Sequence, residues 1–283
     1  MSNSFGEKIL DGKVAFVAGG TRGFNLAIAQ KYAEHGCKVV VSSRNEERCS
    51  TAARSIIDMG AEAMGIPCDV RDYDALQEVY KHTKEKFGPI DLVVAAQAGN
   101  FYAPALGMSM NAYRSIIDID LIGTFNVFRG AFEHLNRPGA SMLAITAPEG
   151  VRPLPFQSHV CAAKAGVNML LKCLAVEWGP AGVRVNGLSP GPIEGSWGMD
   201  NVIAKDPEMK ETITKAIPLK RWGVDKDIAD GALFLASDAA SWVTGTILDI
   251  DGGVTIASPG SGDTDAVNFA NNDKVRGPGK GDR

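Results

Sequence analysis

Short apolar runs alternate with longer stretches of helical periodicity along most of the chain. The runs at 13–18, 38–42, 63–67, 90–95, 141–145, 184–188 and 246–250 read as strands. The stretches at 26–35, 46–58, 73–87, 109–135, 156–178 and 227–236 read as helices, the fourth of them with a break. The strand runs are apolar at consecutive positions, so both of their faces are covered. Strands and helices succeed one another in turn. That order predicts an α/β fold in which a doubly wound parallel sheet carries helices on both faces.

One domain is expected over residues 1–257. Beyond it, residues 258–283 turn to Gly, Asp, Asn, Lys and Pro with few large apolar side chains. That composition predicts a tail that is mobile or docked on a neighbouring subunit.

Composition narrows the choice of partner. Lys plus Arg number 29 and Asp plus Glu 33, a formal charge of −4. This balance gives no footprint for nucleic acid or for an anionic membrane. No apolar run approaches the ~18 residues of a bilayer span, and residues 1–10 are too polar for a secretory signal. The triplet Gly281-Asp282-Arg283 does not spell a peroxisomal address, so a cytoplasmic location is expected. The five cysteines are odd in number and lie mostly in apolar stretches, which favours reduced thiols. The four histidines are scattered without metal-ligand spacing, so no metal site is expected.

Chemistry first shows after the first strand, at Gly19-Gly20-Thr21-Arg22-Gly23-Phe24. Glycines between a strand and a helix let backbone amides approach a pyrophosphate, and the helix N-terminus adds positive potential. This is the dinucleotide site of a Rossmann domain. An acid at the end of the second strand would hold the ribose hydroxyls of NAD. The chain has Ser43 and Arg44 there instead, with Arg22 nearby. Paired guanidinium groups suit a ribose phosphate, so NADP(H) is the expected cofactor. Asp69 and Val70 follow the third strand. Asp69 can touch the adenine amine or serve only as a turn aspartate.

These residues, with Lys164, Asn186, Pro190-Gly191-Pro192-Ile193 and Asp251-Gly252-Gly253, resemble the short-chain dehydrogenase/reductase family over residues 12–257. The resemblance implies a homotetramer and a nicotinamide beside Pro190, Gly191 and Ile193. It further implies that Ser196 reaches a cofactor phosphate, and it sets Ala96 at the start of the segment after the fourth strand. The departures are as informative. Ala18 replaces the family's threonine, Asn25 its last glycine, and Ala96-Gln97-Ala98-Gly99 its Asn-Asn-Ala-Gly segment. Asp120 replaces an asparagine, Ala147 the active-site serine and Val160 the active-site tyrosine.

A narrower resemblance, to the 2,4-dienoyl-CoA reductases and particularly the peroxisomal type, accommodates these changes. It rests on Gly99-Asn100-Phe101, Asp118-Ile119-Asp120, Gly123-Thr124-Phe125-Asn126, Gln157-x-His159 and the segment from Ala175 to Pro180. It implies Asn100 at a thioester carbonyl and Asp120 in proton delivery.

The chemistry agrees. Alcohol oxidation or ketone reduction needs an acid or base at the reacting oxygen, which commonly contributes roughly 10²–10⁴-fold. Valine and alanine cannot supply one. Reducing a carbon–carbon double bond conjugated to a thioester needs donors at an enolate oxygen and a proton for carbon. Asn100, Asp120 and Lys164 are therefore the candidate catalytic residues, with Asp120 open as an acid or as an ion partner of Lys164. His159 is rotated by about 140° from Lys164 on an α-helix, which favours packing or substrate contact. The expected activity is reduction of an enoyl or dienoyl thioester by NADPH. Another enone or carbonyl substrate, or an inactive NADP-binding sensor or scaffold, stays open. Residues 194–220 are expected to form a lid. Basic candidates for a CoA tail are Arg152, Lys205, Lys210 and Lys215.

Overall fold

Apolar runs become strands because burying their side chains on two faces at once outweighs any helical preference of their residues. A computed structural model describes residue 6, residues 8–196 and residues 206–257. The strands are β1 Val14–Ala18, β2 Lys38–Ser43, β3 Ala63–Pro67, β4 Leu92–Ala95, β5 Ser141–Ile145, β6 Arg184–Pro190 and β7 Ile247–Ile250. They form one sheet in the order β3-β2-β1-β4-β5-β6-β7, with every pairing parallel. The chain winds outward from β1 to β3, then returns to start again at β4 on the other side of β1. The crevice opens at the C-terminal ends of β1 and β4, where this reversal separates the connections.

β1 shows the double burial directly. Ala15 and Val17 enter one core with helices α1 (Gly23–Glu34), α2 (Glu46–Ile57) and α8 (Asp225–Ala236). Val14, Phe16 and Ala18 enter the other, with α3 (Tyr73–Phe87), α5 (Gly123–Ala131) and α6 (Ser158–Trp178). Two buried tyrosines fasten these layers. The Tyr32 hydroxyl donates to the Ala232 carbonyl at 3.1 Å, joining α1 to α8. The Tyr80 hydroxyl donates to the Val127 carbonyl at 2.8 Å, joining α3 to α5.

Two elements differ from the sequence expectation. The helical stretch at 109–135 is divided into α4 (Met110–Ile116), a π-helical segment (Ile117–Ile122) and α5. The wider turn shifts the register of side chains and takes Asp120 into the protein, where it is 1% exposed. Within the expected lid, α7 (Pro207–Ala216) forms because Asp206 caps it, accepting from the amides of Glu208 and Met209. Residues 197–205 of that lid, Lys205 and the 258–283 tail lie outside the described residues.

The expectation about apolar runs also needs amending. Ser158–Ala181 is long and apolar enough to cross a membrane by composition, with mean hydropathy 1.3. In this fold its inner face, including Val167, Leu171 and Leu174, packs on the sheet. All five cysteines are free thiols, Cys161 and Cys173 being less buried than the rest.

Candidate active site

The glycine loop owes its path to a close approach. Gly19 has φ +77°, and a Cβ there would lie 2.6 Å from the Gln97 amide nitrogen and 2.7 Å from the Ala96 carbonyl carbon. Only glycine lets the turn after β1 pass against the end of β4. Asn25, where the resemblance expected glycine, donates to the Ala96 carbonyl at 2.9 Å and ties α1 to the same strand end. The three helices at this edge begin differently. α2 is capped by Asn45 and α3 by Asp72, and each has acidic residues in its first turn. α1 has no side-chain cap and no first-turn acid. Its first amides stay available to an anion.

A cleft of about 1120 Å³ runs from this loop across the crevice. Gly19, Thr21, Arg22, Gly23 and Phe24 line one end with Ser43, Arg44, Asp69, Val70 and Ala96. Pro190, Gly191, Ser196 and Lys164 line it further along. Ile193 does not: it is 2% exposed, and its bridge to Gly223 fixes the loop from inside. Arg48 joins Arg22 and Arg44 in the lining. Sequence patterns do not single it out, because it lies one helical turn past the end of β2. None of these three arginines makes an ion pair among the described residues. Asp69 is gripped by Arg71, whose Nε donates at 3.0 Å and Nη2 at 2.5 Å. That grip holds the Asp69 carboxyl below its ordinary range.

The far wall carries the candidate catalytic groups. Lys164 on α6 is 5% exposed and donates to the Ile145 carbonyl at 3.1 Å. Its Nζ lies 3.2 Å from Asp120 Oδ2, a buried ion pair. Asp120 Oδ1 accepts the Gly99 amide at 2.7 Å. One carboxylate therefore holds both the ammonium and the backbone next to Asn100. Val160 precedes Lys164 by one turn and packs with Ile116 and Ala163, while Ala147 and Glu149 also line the cleft. Asn100 is exposed to the cleft, and its Oδ1 accepts from Gln157 Nε2 at 3.1 Å. Gln157 stood in the sequence only as part of a motif. Its side chain caps nothing at the start of α6 and meets Asn100 instead, a contact that no local sequence pattern announces.

His159 is fully buried, with its ring 4.2 Å from that of Phe101, centre to centre, and it does not line the cleft. Burial pushes its pKa below the ordinary imidazole value. Of the basic candidates for a CoA tail, Arg152 donates to the Val254 carbonyl at 2.6 Å. Lys210 pairs with Glu194 at 3.6 Å and Lys215 with Glu211 at 2.8 Å.

The donor set fits a phosphorylated dinucleotide: a backbone cradle at Gly19, an uncapped helix, and arginines without carboxylate partners. The family model described as Enoyl-(Acyl carrier protein) reductase matches residues 18–255. The peroxisomal 2,4-dienoyl-CoA reductase of Saccharomyces cerevisiae is 39% identical over 250 residues, covering 87% of this chain and 85% of the relative. A Bacillus subtilis protein named a probable 2,4-dienoyl-CoA reductase is 34% identical, covering 86% of this chain and 97% of its own. The structure of a gluconate 5-dehydrogenase from Burkholderia cenocepacia, in complex with NADP and tartrate, superposes with TM-score 0.81 at 28% identity. The match covers 89% of this chain and 99% of that one.

The yeast relative overturns the cytoplasmic expectation, since by name it is peroxisomal. The expectation rested on the absence of a recognised address, and an absence does not fix a compartment. A family model spanning most of the chain, relatives at 39% and 34% identity along nearly their whole length, and a shared architecture together place this chain in the short-chain dehydrogenase/reductase family of oxidoreductases.

Proposed function

We propose that this chain reduces a conjugated double bond in a 2,4-dienoyl-CoA thioester, using NADPH. One observation carries the reading. The cleft wall around Lys164 has Val160 and Ala147 at the positions of the family's hydroxyl acids, yet keeps an amide, an ammonium and a buried carboxylate together. This wall lacks the acid for ketone reduction and has donors suited to an enolate. The names of the yeast and Bacillus relatives support the same substrate.

Arg22, Arg44 and Arg48 suit the ribose phosphate that separates NADP from NAD, and the NADP held by the Burkholderia neighbour agrees with this. Bound NADPH supplies the hydride to the far carbon of the diene. Asn100 donates from its amide to the thioester oxygen, which receives the displaced electron pair as a dienolate. Lys164 holds the nicotinamide ribose hydroxyls and adds positive potential. Asp120 keeps that ammonium in place. A proton from solvent water reaches the α-carbon by way of the Asp120 carboxylate, which takes up one proton as it hands one on, and the product keeps a double bond one position further along.

Absorbance of NADPH tests the activity. Purified protein is expected to oxidise NADPH with 2,4-dienoyl-CoA and to leave simple ketones untouched. Absence of turnover on every conjugated thioester, or brisk interconversion of secondary alcohols and ketones, removes the proposal. For the cofactor, Arg44→Ala is expected to weaken NADPH binding by about 10–100-fold, the worth of a charge-assisted hydrogen bond. NADH binding should change little, and an equal change for both cofactors would contradict the assignment.

A homotetramer fits the exposed surface of α6. Ala162, Ala165, Met169, Cys173 and Val176 form an apolar stripe there, and Ile122 and Phe125 are exposed on the preceding helical segments. A stripe of this length calls for a covering surface.

A further inference from the structure

Asn100 has one amide group and two ways to present it. A primary amide turned through half a circle exchanges its NH₂ for its oxygen at nearly the same position. Facing a thioester oxygen, the NH₂ stabilises developing negative charge, whereas the oxygen repels it. The proposed reaction therefore depends on which way this amide points. Something outside the cleft has to decide it, because solvent in the cleft can serve either orientation.

Gln157 is placed to do this. It is 1% exposed and does not line the cleft, whereas Asn100 does. Its Nε2 donates to Asn100 Oδ1 at 3.1 Å, which turns the Asn100 NH₂ toward the open side. The Gln157 Oε1 is buried with no hydrogen-bond partner among the described residues. A buried amide oxygen without a partner costs free energy, so bare packing would not favour a glutamine here. The backbone on each side is fixed independently. Gly99 is held by Asp120 at 2.7 Å, and the Ala103 amide donates to the Phe156 carbonyl at 3.0 Å, joining the loop of Asn100 to that of Gln157.

We propose that Gln157 is a positioning residue that orients the Asn100 amide with its NH₂ toward the thioester carbonyl. This rests on the reading of Asn100 as the donor to that oxygen. Gln157 touches neither substrate nor cofactor and acts through Asn100 alone.

The test uses Gln157→Glu, Gln157→Met and Asn100→Ala, singly and combined, with 2,4-dienoyl-CoA and NADPH. Measured at a pH where it is ionised, glutamate keeps the shape but offers only acceptors, so the Asn100 NH₂ turns to it and its oxygen faces the substrate. Gln157→Glu is expected to lower kcat by on the order of 100-fold, the effect of losing one preorganised donor, with NADPH affinity unchanged. Gln157→Met leaves the amide free to rotate, so a smaller, several-fold loss is expected. In the Asn100→Ala background neither substitution should lower kcat further, since the group they act on is gone.

Wild-type kcat in Gln157→Glu would mean that Asn100 already faces the cleft with its oxygen, and would overturn the proposal. An equal loss with and without Asn100 would assign Gln157 to packing and overturn it too. Should Gln157→Glu not fold, Gln157→Met takes its place, and full activity of that variant overturns the proposal. Failure of the wild-type protein to reduce any dienoyl thioester is a separate result that removes the substrate reading itself.

Discussion

At the scale of single residues, the pair Lys164–Asp120 joins stability to chemistry. Their side chains are 6% and 0% exposed, so each charge depends chiefly on its protein partners. Removing one member of such a pair leaves the other buried and uncompensated, at a cost of about 3–5 kcal/mol. Asp120→Ala is expected to destabilise the fold by that amount in denaturant unfolding, and Asp120→Ala/Lys164→Met to recover part of it. No loss in the single variant would show that the ammonium finds another partner.

Sequence patterns point to both residues but do not choose between an ion pair and an acid. Their separation along the chain says nothing about 3.2 Å. The same limit hides Gln157 and Arg48. One meets its partner 57 positions away, and the other enters the cleft only because α2 starts where it does.

At the scale of elements, the site is built from ends rather than middles. The turn after β1 presents amides because α1 lacks its own cap, and the π-helical segment between α4 and α5 carries Asp120 inward. The glycine turn was legible from spacing, since a strand, a glycine cluster and a helix in that order have few uses. The π-helix was legible only as a break, because one added residue in a turn leaves the local apolar pattern almost unchanged. Gly19→Ala places a Cβ within 2.7 Å of the Ala96–Gln97 backbone just past β4, at a left-handed φ. Strain of about 1–3 kcal/mol is expected, together with weaker NADPH binding as the loop moves off its path. Thermal unfolding and fluorescence titration measure the two effects. Unchanged values for both would refute the close approach.

At the scale of the whole molecule, two cores flank one sheet, and the outer stripe of α6 repeats on a third face the pattern of a buried surface. Met169 and Val176 are 60% and 79% exposed. If four copies cover this stripe, Met169→Asp with Val176→Asp is expected to give smaller species by light scattering without loss of the folded circular dichroism signal. An unchanged mass would place the assembly surface elsewhere, and a monomeric wild type would end the tetramer proposal.

The sequence by itself determined the alternation of strands and helices, the dinucleotide turn, and the absence of hydroxyl acids at positions 147 and 160. Each of these is local: a repeat of apolar positions, a short motif, or a residue type that cannot perform a given reaction. Tertiary structure alone decided which charge pairs with which. It also decided that Ile193 supports the cleft from within, that His159 packs behind Phe101, and that a buried glutamine holds the amide of Asn100. Those facts depend on distances between strand ends and helix faces, and such distances exist only once the chain has closed around its sheet.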